Sequence, residues 1–246
     1  MNRWLRARLV GDRVVAAVAG IILAPIMAVF GMLIRRGDGG PALISVPRVG
    51  RDGRLFRMWK LRSMRADGPD GRAHGPNLTH ELDDRITPIG RTMRAYHLDE
   101  LPQLYNVVRG EMLLLGPRPE SPEFVDLDDP LWRSLLVIPP GIAGPTQVIV
   151  GDWERTLIDH ADDHSIYRTK VLPVKLAIDE WYLENCSIVT DALVALTLFR
   201  RFLPGTESTT LKGRVFAAVP EAGVVRDFIA ERKRKRALES APVEPN

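Results

Sequence analysis

Residues 14–34 read VVAAVAGIILAPIMAVFGMLI, 21 positions without one polar or charged side chain. A run of that length is a membrane candidate on composition. Pro25 stands near its middle, where it removes a backbone donor and clashes with the preceding turn, at about 3 kcal/mol in a regular helix. The arms on either side, 14–24 and 26–34, reach only about 16 and 14 Å at a rise of about 1.5 Å per residue. Neither crosses a hydrocarbon core about 30 Å thick. Arg3, Arg6, Arg8 and Arg13 precede the run and Arg35 and Arg36 follow it, so the positive-inside rule favours neither end for export. The economical expectation is a re-entrant helix, broken at Pro25, with both ends on one side. A straight spanning helix and a cleaved signal peptide are the alternatives.

The rest of the chain bounds the fold. A length of 246 residues suits one domain with a core plus an appendage. We expect a helix-rich α+β protein in three parts: a membrane helix at 1–36, a catalytic domain at 37–204, and a basic, partly disordered extension at 205–246. Residues 37–57 are rich in Gly and Pro and read as a small hairpin about Arg51-Asp52-Gly53. Residues 65–84 form a polar stretch too long for a mere connector, expected to move over the site. Residues 89–108 are helical in pattern but interrupted at Pro102, with Asp99 placed to cap the helix that follows. Seven of the 19 prolines fall between 117 and 145, which makes that region a rigid, irregular surface of the kind that builds binding loops. A long helical pattern over 170–203 divides around Asn185-Cys186-Ser187, and its apolar second half suits the membrane interface plane. The cations 232–236 belong to either a solvated tail or an electrostatic membrane contact.

Composition excludes some classes. A lone cysteine, Cys186, rules out an internal disulfide framework and a cysteine zinc site. A net charge of +3 is too small to argue for nucleic acid, and the positive charge clusters beside apolar segments, which points to an anionic membrane surface. There is no Walker loop, G-x-G-x-x-G, G-x-S-x-G or H-E-x-x-H, so NTP hydrolysis, dinucleotide chemistry, serine hydrolysis and zinc proteolysis lack support. His160 and His164, four apart among aspartates, have a metal-binding spacing but no evident third ligand.

Chemistry concentrates in residues 99–120, DELPQLYNVVRGEMLLLGPRPE. Adjacent carboxylates such as Asp99 and Glu100 repel unless cations or a metal offset them, and such pairs supply nucleophiles and acid/base groups. A helix cap beside a solvent-facing charge is the plain alternative. Arg94 lies within reach if its stretch turns helically. Lys60 and Arg62 alternate along a strand-like segment and so share a face; either could simply neutralise a carboxylate. Pro117-Arg118-Pro119 holds an arginine between two restrained φ angles, aimed at a planar or phosphate partner, or forms a structural turn. Gln147, after Pro140-Gly141-Ile142-x-Gly144, offers an amide for base or sugar recognition.

KLRSM at 60–64, then R-x-x-x-x-D-E-L-P-Q-L-x-N-V from Arg94, then G-E-M-x-L-x-G-P-R-P-E from Gly110, together resemble the bacterial sugar transferase family, the monotopic polyprenyl-phosphate phosphoglycosyl transferases, in their small catalytic-core form. The resemblance implies that Asp99 attacks the sugar-1-phosphate of a UDP-sugar, releases UMP, and passes the phosphosugar to undecaprenyl phosphate. Glu100 would assist proton removal or orientation, Mg²⁺ at Asp99 would offset the diphosphate charge, and Arg94 would hold a phosphate. Lys60 and Arg62 match the family's basic strand, Pro117, Arg118 and Pro119 its nucleotide-binding turn, and Gln147 follows its P-G-I-x-G pattern. It further implies a proline-broken helix in one leaflet of the bacterial inner membrane, a cytoplasmic active site, contact with membrane lipids, initiation of exopolysaccharide or glycoconjugate synthesis, and no nucleic-acid partner; a homodimer is left open. His97, Leu113, Pro145-Thr146, Pro47 and Cys186 depart from the family's usual residues, and Pro145 bears on the geometry at Gln147. The rival expectation is a non-catalytic membrane scaffold that binds lipid or nucleotide.

Overall fold

The computed structural model describes residues 3–65, 83–159, 165–200 and 209–239. The moving-loop reading of 65–84 falls on residues of which 66–82 lie outside the described ones, as do His160 and His164 with their metal spacing.

Helix α1 (Arg3–Asp38) corrects the expected break, because it runs through Pro25 without interruption. At 1.5 Å per residue its 36 residues extend about 54 Å. The reason is visible in its inward stripe. Leu5 joins the main core; Ala16 packs with Met58, Leu104, Val107 and Met112; Ile34 packs with Leu61 and Met93. Ala19, Leu23 and Phe30 fill the intervals, so one helical stripe keeps its phase on both sides of the proline. Packing of both arms on one body outweighs the single donor that Pro25 removes, and Pro25 itself faces outward.

Strands β1 (Leu43–Val49) and β2 (Leu55–Leu61) form the expected antiparallel hairpin, with Leu43 opposite Leu61 and Val49 opposite Leu55. Asp52 (φ 58°) and Gly53 (φ 73°) supply the left-handed turn at 51–53. Helix α2 (Pro88–Ala95) starts against the chain leaving β2: the Thr87 hydroxyl accepts from Gly90 N at 3.0 Å, and a Cβ on Gly90 would stand 1.9 Å from Ser63 O. A 3₁₀ turn (Leu98–Glu100) leads into α3 (Gln103–Arg109). Asn106 of α3 ties that helix to the hairpin, accepting from Trp59 N at 3.1 Å and donating to Arg57 O at 2.8 Å.

Beyond lie β3 (Leu113–Leu115), α4 (Pro130–Leu135) and β4 (Gly141–Ala143), with β4 parallel to β3. Then come α5 (Pro145–Ile149), α6 (Gly151–Asp159), a π-turn (Tyr167–Val171), α7 (Leu172–Glu184) and α8 (Ile188–Arg200), the last two dividing at 185–187 as expected.

The extension requires a second correction. Residues Thr209–Ala218 (α9) and Gly223–Glu239 (α10) are helices, and Leu211, Val215, Val219, Ala222 and Val225 are buried in the main core. An apolar stripe in each helix, masked in the sequence by the surrounding charge, makes this pair part of the body.

Candidate active site

The dyad sits at a sharp corner. α2 ends at Ala95, and His97 takes a left-handed conformation (φ 55°), uncommon for a residue with a Cβ, which turns the chain into Leu98–Glu100. Asp99 therefore lies within this turn and does not cap α3, whose first turn is preceded by Pro102. The Asp99 residue is only 6% exposed, yet its carboxylate makes no hydrogen bond or ion pair among the described residues.

Glu100 is the opposite case. Arg118 meets it with both nitrogens, Nη2 to Oε1 at 2.7 Å and Nη1 to Oε2 at 3.0 Å, and Lys60 Nζ lies 3.4 Å from Oε1. Burial pushes the Glu100 carboxyl upward, but Arg118 and then Lys60 more than offset this and hold it well below the usual carboxylate range. Arg118 also donates to Ile142 O at 2.5 Å.

Three glycines make this arrangement possible. The Pro117–Pro119 turn rests on β4, with Gly141 N donating to Pro117 O at 2.7 Å. A Cβ on Gly141 would stand 2.2 Å from Gly116 N, and one on Gly144 would stand 2.2 Å from Gly116 O. The P-G-I-x-G spacing thus answers a backbone contact that only glycine permits.

The remaining expected residues fall in different places. Lys60 reaches the dyad. Arg62 is buried to 1% exposure and donates to Pro41 O at 2.7 Å and Met64 O at 3.3 Å, binding the chain on either side of the hairpin. Arg94 lies in the last turn of α2, beside the dyad turn, and its guanidinium forms no hydrogen bond or ion pair among the described residues; its charge is felt at Asp83. The Gln147 side-chain oxygen accepts from Gly144 N at 2.9 Å and so caps α5, which gives it a structural duty the sequence did not reveal. Pro25 lies on the exposed side of α1.

Sequence reasoning missed two clusters. At the foot of α1, Arg8 lies 3.1 Å from both Asp12 and Asp191, donates to Tyr182 Oη at 3.0 Å, and bonds Leu115 O; Trp4 Nε1 donates to Asp191 at 2.7 Å. Arg8 reads as one more flanking cation, although Asp12 four residues on was an available signal. Behind the Arg118 turn, Glu120, Lys175 and Tyr167 form a buried triangle joining elements too far apart in sequence to be paired by spacing.

The donor set constrains a metal. Among the described residues no three His, Cys, Asp or Glu side chains converge. Magnesium commonly takes one or two carboxylates together with substrate phosphates, so the free carboxylate of Asp99 fits an ion shared with a diphosphate.

This geometry can be set beside known proteins. Residues 2–204 match the profile of a family described as "Bacterial sugar transferase". The chain belongs to that family. Among its relatives is the Aeromonas hydrophila UDP-N-acetylgalactosamine-undecaprenyl-phosphate N-acetylgalactosaminephosphotransferase, 35% identical over 79% of this chain and 43% of that protein. The Caulobacter vibrioides UDP-glucose:undecaprenyl-phosphate glucose-1-phosphate transferase is 38% identical over 58% of this chain and 54% of that protein. The exopolysaccharide production protein ExoY of Sinorhizobium fredii is 31% identical over 74% of this chain and 79% of that protein. The chain spans less than half the length of the Aeromonas relative. Within this bacterial sugar transferase, α9 and α10 lie wholly beyond the matched residues, yet their Leu211, Val215 and Val225 share the core.

Proposed function

We propose that this bacterial sugar transferase moves a sugar-1-phosphate from a UDP-sugar to undecaprenyl phosphate and releases UMP, the first committed transfer in building a glycan on a lipid carrier. The carrying observation is the contrast inside the dyad: Glu100 is locked by Arg118 and Lys60, while the adjacent Asp99 is sheltered and makes no hydrogen bond or ion pair among the described residues. A structural dyad would engage both carboxylates.

In this reading an Asp99 oxygen attacks the β-phosphorus of the donor. The bond from that phosphorus to the bridging oxygen breaks, and UMP departs with the electron pair. The acyl phosphate on Asp99 resembles a diphosphate in reactivity, so neither step descends into a deep well. An oxygen of undecaprenyl phosphate then attacks the same phosphorus and the Asp99 carboxylate leaves. Arg118 and Arg94 stabilise phosphoryl oxygens, the main demand that phosphoryl transfer makes on a protein. Glu100 orients Arg118; an acid held so far below neutrality accepts a proton poorly. Mg²⁺ at Asp99 would offset the diphosphate charge.

The membrane placement is supported by two faces. α1 exposes Val14, Val18, Ile21, Ile22 and Val29, and α8 exposes Ile188, Val189, Leu196 and Phe199. Apolar surface of that extent suits a lipid interface. Both ends of α1, at Leu5 and Ile34, pack against the same body, which favours a monotopic helix with its ends on one side, the cytoplasmic. The test is a panel of UDP-sugars with undecaprenyl phosphate in lipid nanodiscs, read as UMP. Release dependent on both substrates is expected; binding without release would mark a scaffold.

A further inference from the structure

The turn that carries Arg118 is held from two sides. Toward the dyad, Arg118 grips Glu100. On the far side, Glu120 Oε1 lies 2.6 Å from Lys175 Nζ and accepts from Tyr167 Oη at 2.7 Å, while Lys175 Nζ donates to the same hydroxyl at 2.7 Å. The triangle is closed, and Glu120 O also accepts from Val49 N of β1 at 3.1 Å. Lys175 is 9% exposed, and its ammonium lies 3.5 Å from Glu154 of α6 as well.

Between Arg118 and Glu120 stands only Pro119, whose ring fixes φ near −65°. That bond cannot rotate to absorb a shift at Glu120, which leaves fewer dihedrals to decouple Glu120 from Arg118. A small pocket beside the turn is lined by residues 117–120 together with Trp132, Leu135, Ile138 and Asp179, and Asp179 Oδ1 is buried without a hydrogen-bond partner among the described residues. Backbone hydrogen bonds from Gly141 N and Val49 N hold the ends of the turn, and the ion pair of Glu120 with Lys175 is its side-chain tether on the far side.

The geometry points to Lys175, acting through Glu120, as a positioning residue for Arg118, one that sets how the guanidinium meets Glu100 and the donor's phosphates. This rests on the proposed function for the donor, but not for the position of the turn. Burial pushes Glu120 up and Lys175 down, and in each case the partner reverses the shift, so both remain charged.

The experiment compares the full chain with Lys175→Arg, Lys175→Met and the double variant Glu120→Gln with Lys175→Met. Lys175→Met leaves a buried anion without its cation and can fail to fold; the double variant removes both charges and keeps the inference falsifiable. Amide hydrogen exchange is followed on peptides covering 113–124, with peptides from α3 and α8 as internal controls. UMP release gives KM and kcat for the donor. Expected is at least ~10-fold faster exchange confined to 113–124 in the double variant, with donor KM raised ~10-fold and kcat changed less than ~3-fold. Lys175→Arg should restore both. Unchanged exchange at 113–124 in a folded double variant overturns the inference, as does faster exchange with donor KM and kcat unaltered. A wild-type chain with no turnover on any UDP-sugar would count against the proposed function, and the exchange result would still decide the positioning role.

Discussion

Glu100 and Arg118 face each other fork to fork, at 2.7 and 3.0 Å, across the gap between the dyad turn and the proline-flanked turn. Bidentate geometry of this kind fixes orientation as well as charge. Glu100→Gln keeps the shape but replaces one acceptor by a donor, so Arg118 must rotate away. Turnover should fall on the order of 10²-fold, the scale of a small misplacement at a reacting centre. Because Glu100 is held well below the usual range, its pair contributes stability above the ordinary unfolded carboxylate pKa of about 4.3 and loses it as pH falls below that value. The variant's stability deficit, measured by urea unfolding, should accordingly shrink between pH 6 and pH 3. An equal deficit at both pH values would contradict the pairing.

Asp179 has the opposite sign. Burial pushes its carboxyl well above the usual range, with Lys175 opposing and Glu120 adding to the shift. The folded state then holds a proton that the unfolded state releases above about pH 4, so this group weakens the fold progressively as pH rises toward its folded pKa. Asp179→Asn removes the penalty. The variant should gain in melting temperature relative to wild type, and the gain should be larger at pH 8 than at pH 5. A loss that grows with pH would mean an ionised, needed carboxylate.

The proposed one-sided topology of α1 is tested at its two ends. Cysteines at Arg6 and at Gly37, both exposed, in a Cys186→Ser background, should be shielded from an impermeant thiol reagent added outside intact cells and labelled after lysis. Since the inward stripe passes Pro25 without losing phase, Pro25→Ala should leave this pattern unchanged. Labelling of one site alone from outside would establish a spanning helix.

Helices α9 and α10 should behave as core. Leu211, with no exposure, loses its side chain in Leu211→Ala, a change that costs about 2–5 kcal/mol at buried sites. Chemical denaturation measures it. A value near zero would return these helices to the status of an appendage.

These outcomes separate what the sequence exposes from what it hides. The hairpin and the division between α7 and α8 were legible, because local turn chemistry carries them; the motif singled out Lys60, Glu100 and Arg118 but not that the two cations meet Glu100. Pro25 misled: its backbone cost is local, but the contacts of Ala16 and Ile34 that outweigh it come from α3, β2 and α2. The Asp99 cap failed because the left-handed His97 shifts the helix start past Pro102. Arg8 with Asp191 and Glu120 with Lys175 span 183 and 55 positions, distances over which no pattern in a single chain signals contact.

A covalent bond between Asp99 and the phosphosugar, as proposed, can be trapped by withholding the lipid acceptor. The protein is incubated in nanodiscs with Mg²⁺ and a UDP-sugar labelled in the β-phosphate, without undecaprenyl phosphate, and quenched under conditions that preserve acyl phosphates. Label should appear on the protein, at most one equivalent, with matching UMP. No label should appear in Asp99→Asn, and the label should be discharged when undecaprenyl phosphate is added. Absence of label from an enzyme that turns over with both substrates, together with intersecting rather than parallel reciprocal plots, would contradict the covalent bond and make the lipid phosphate the direct nucleophile.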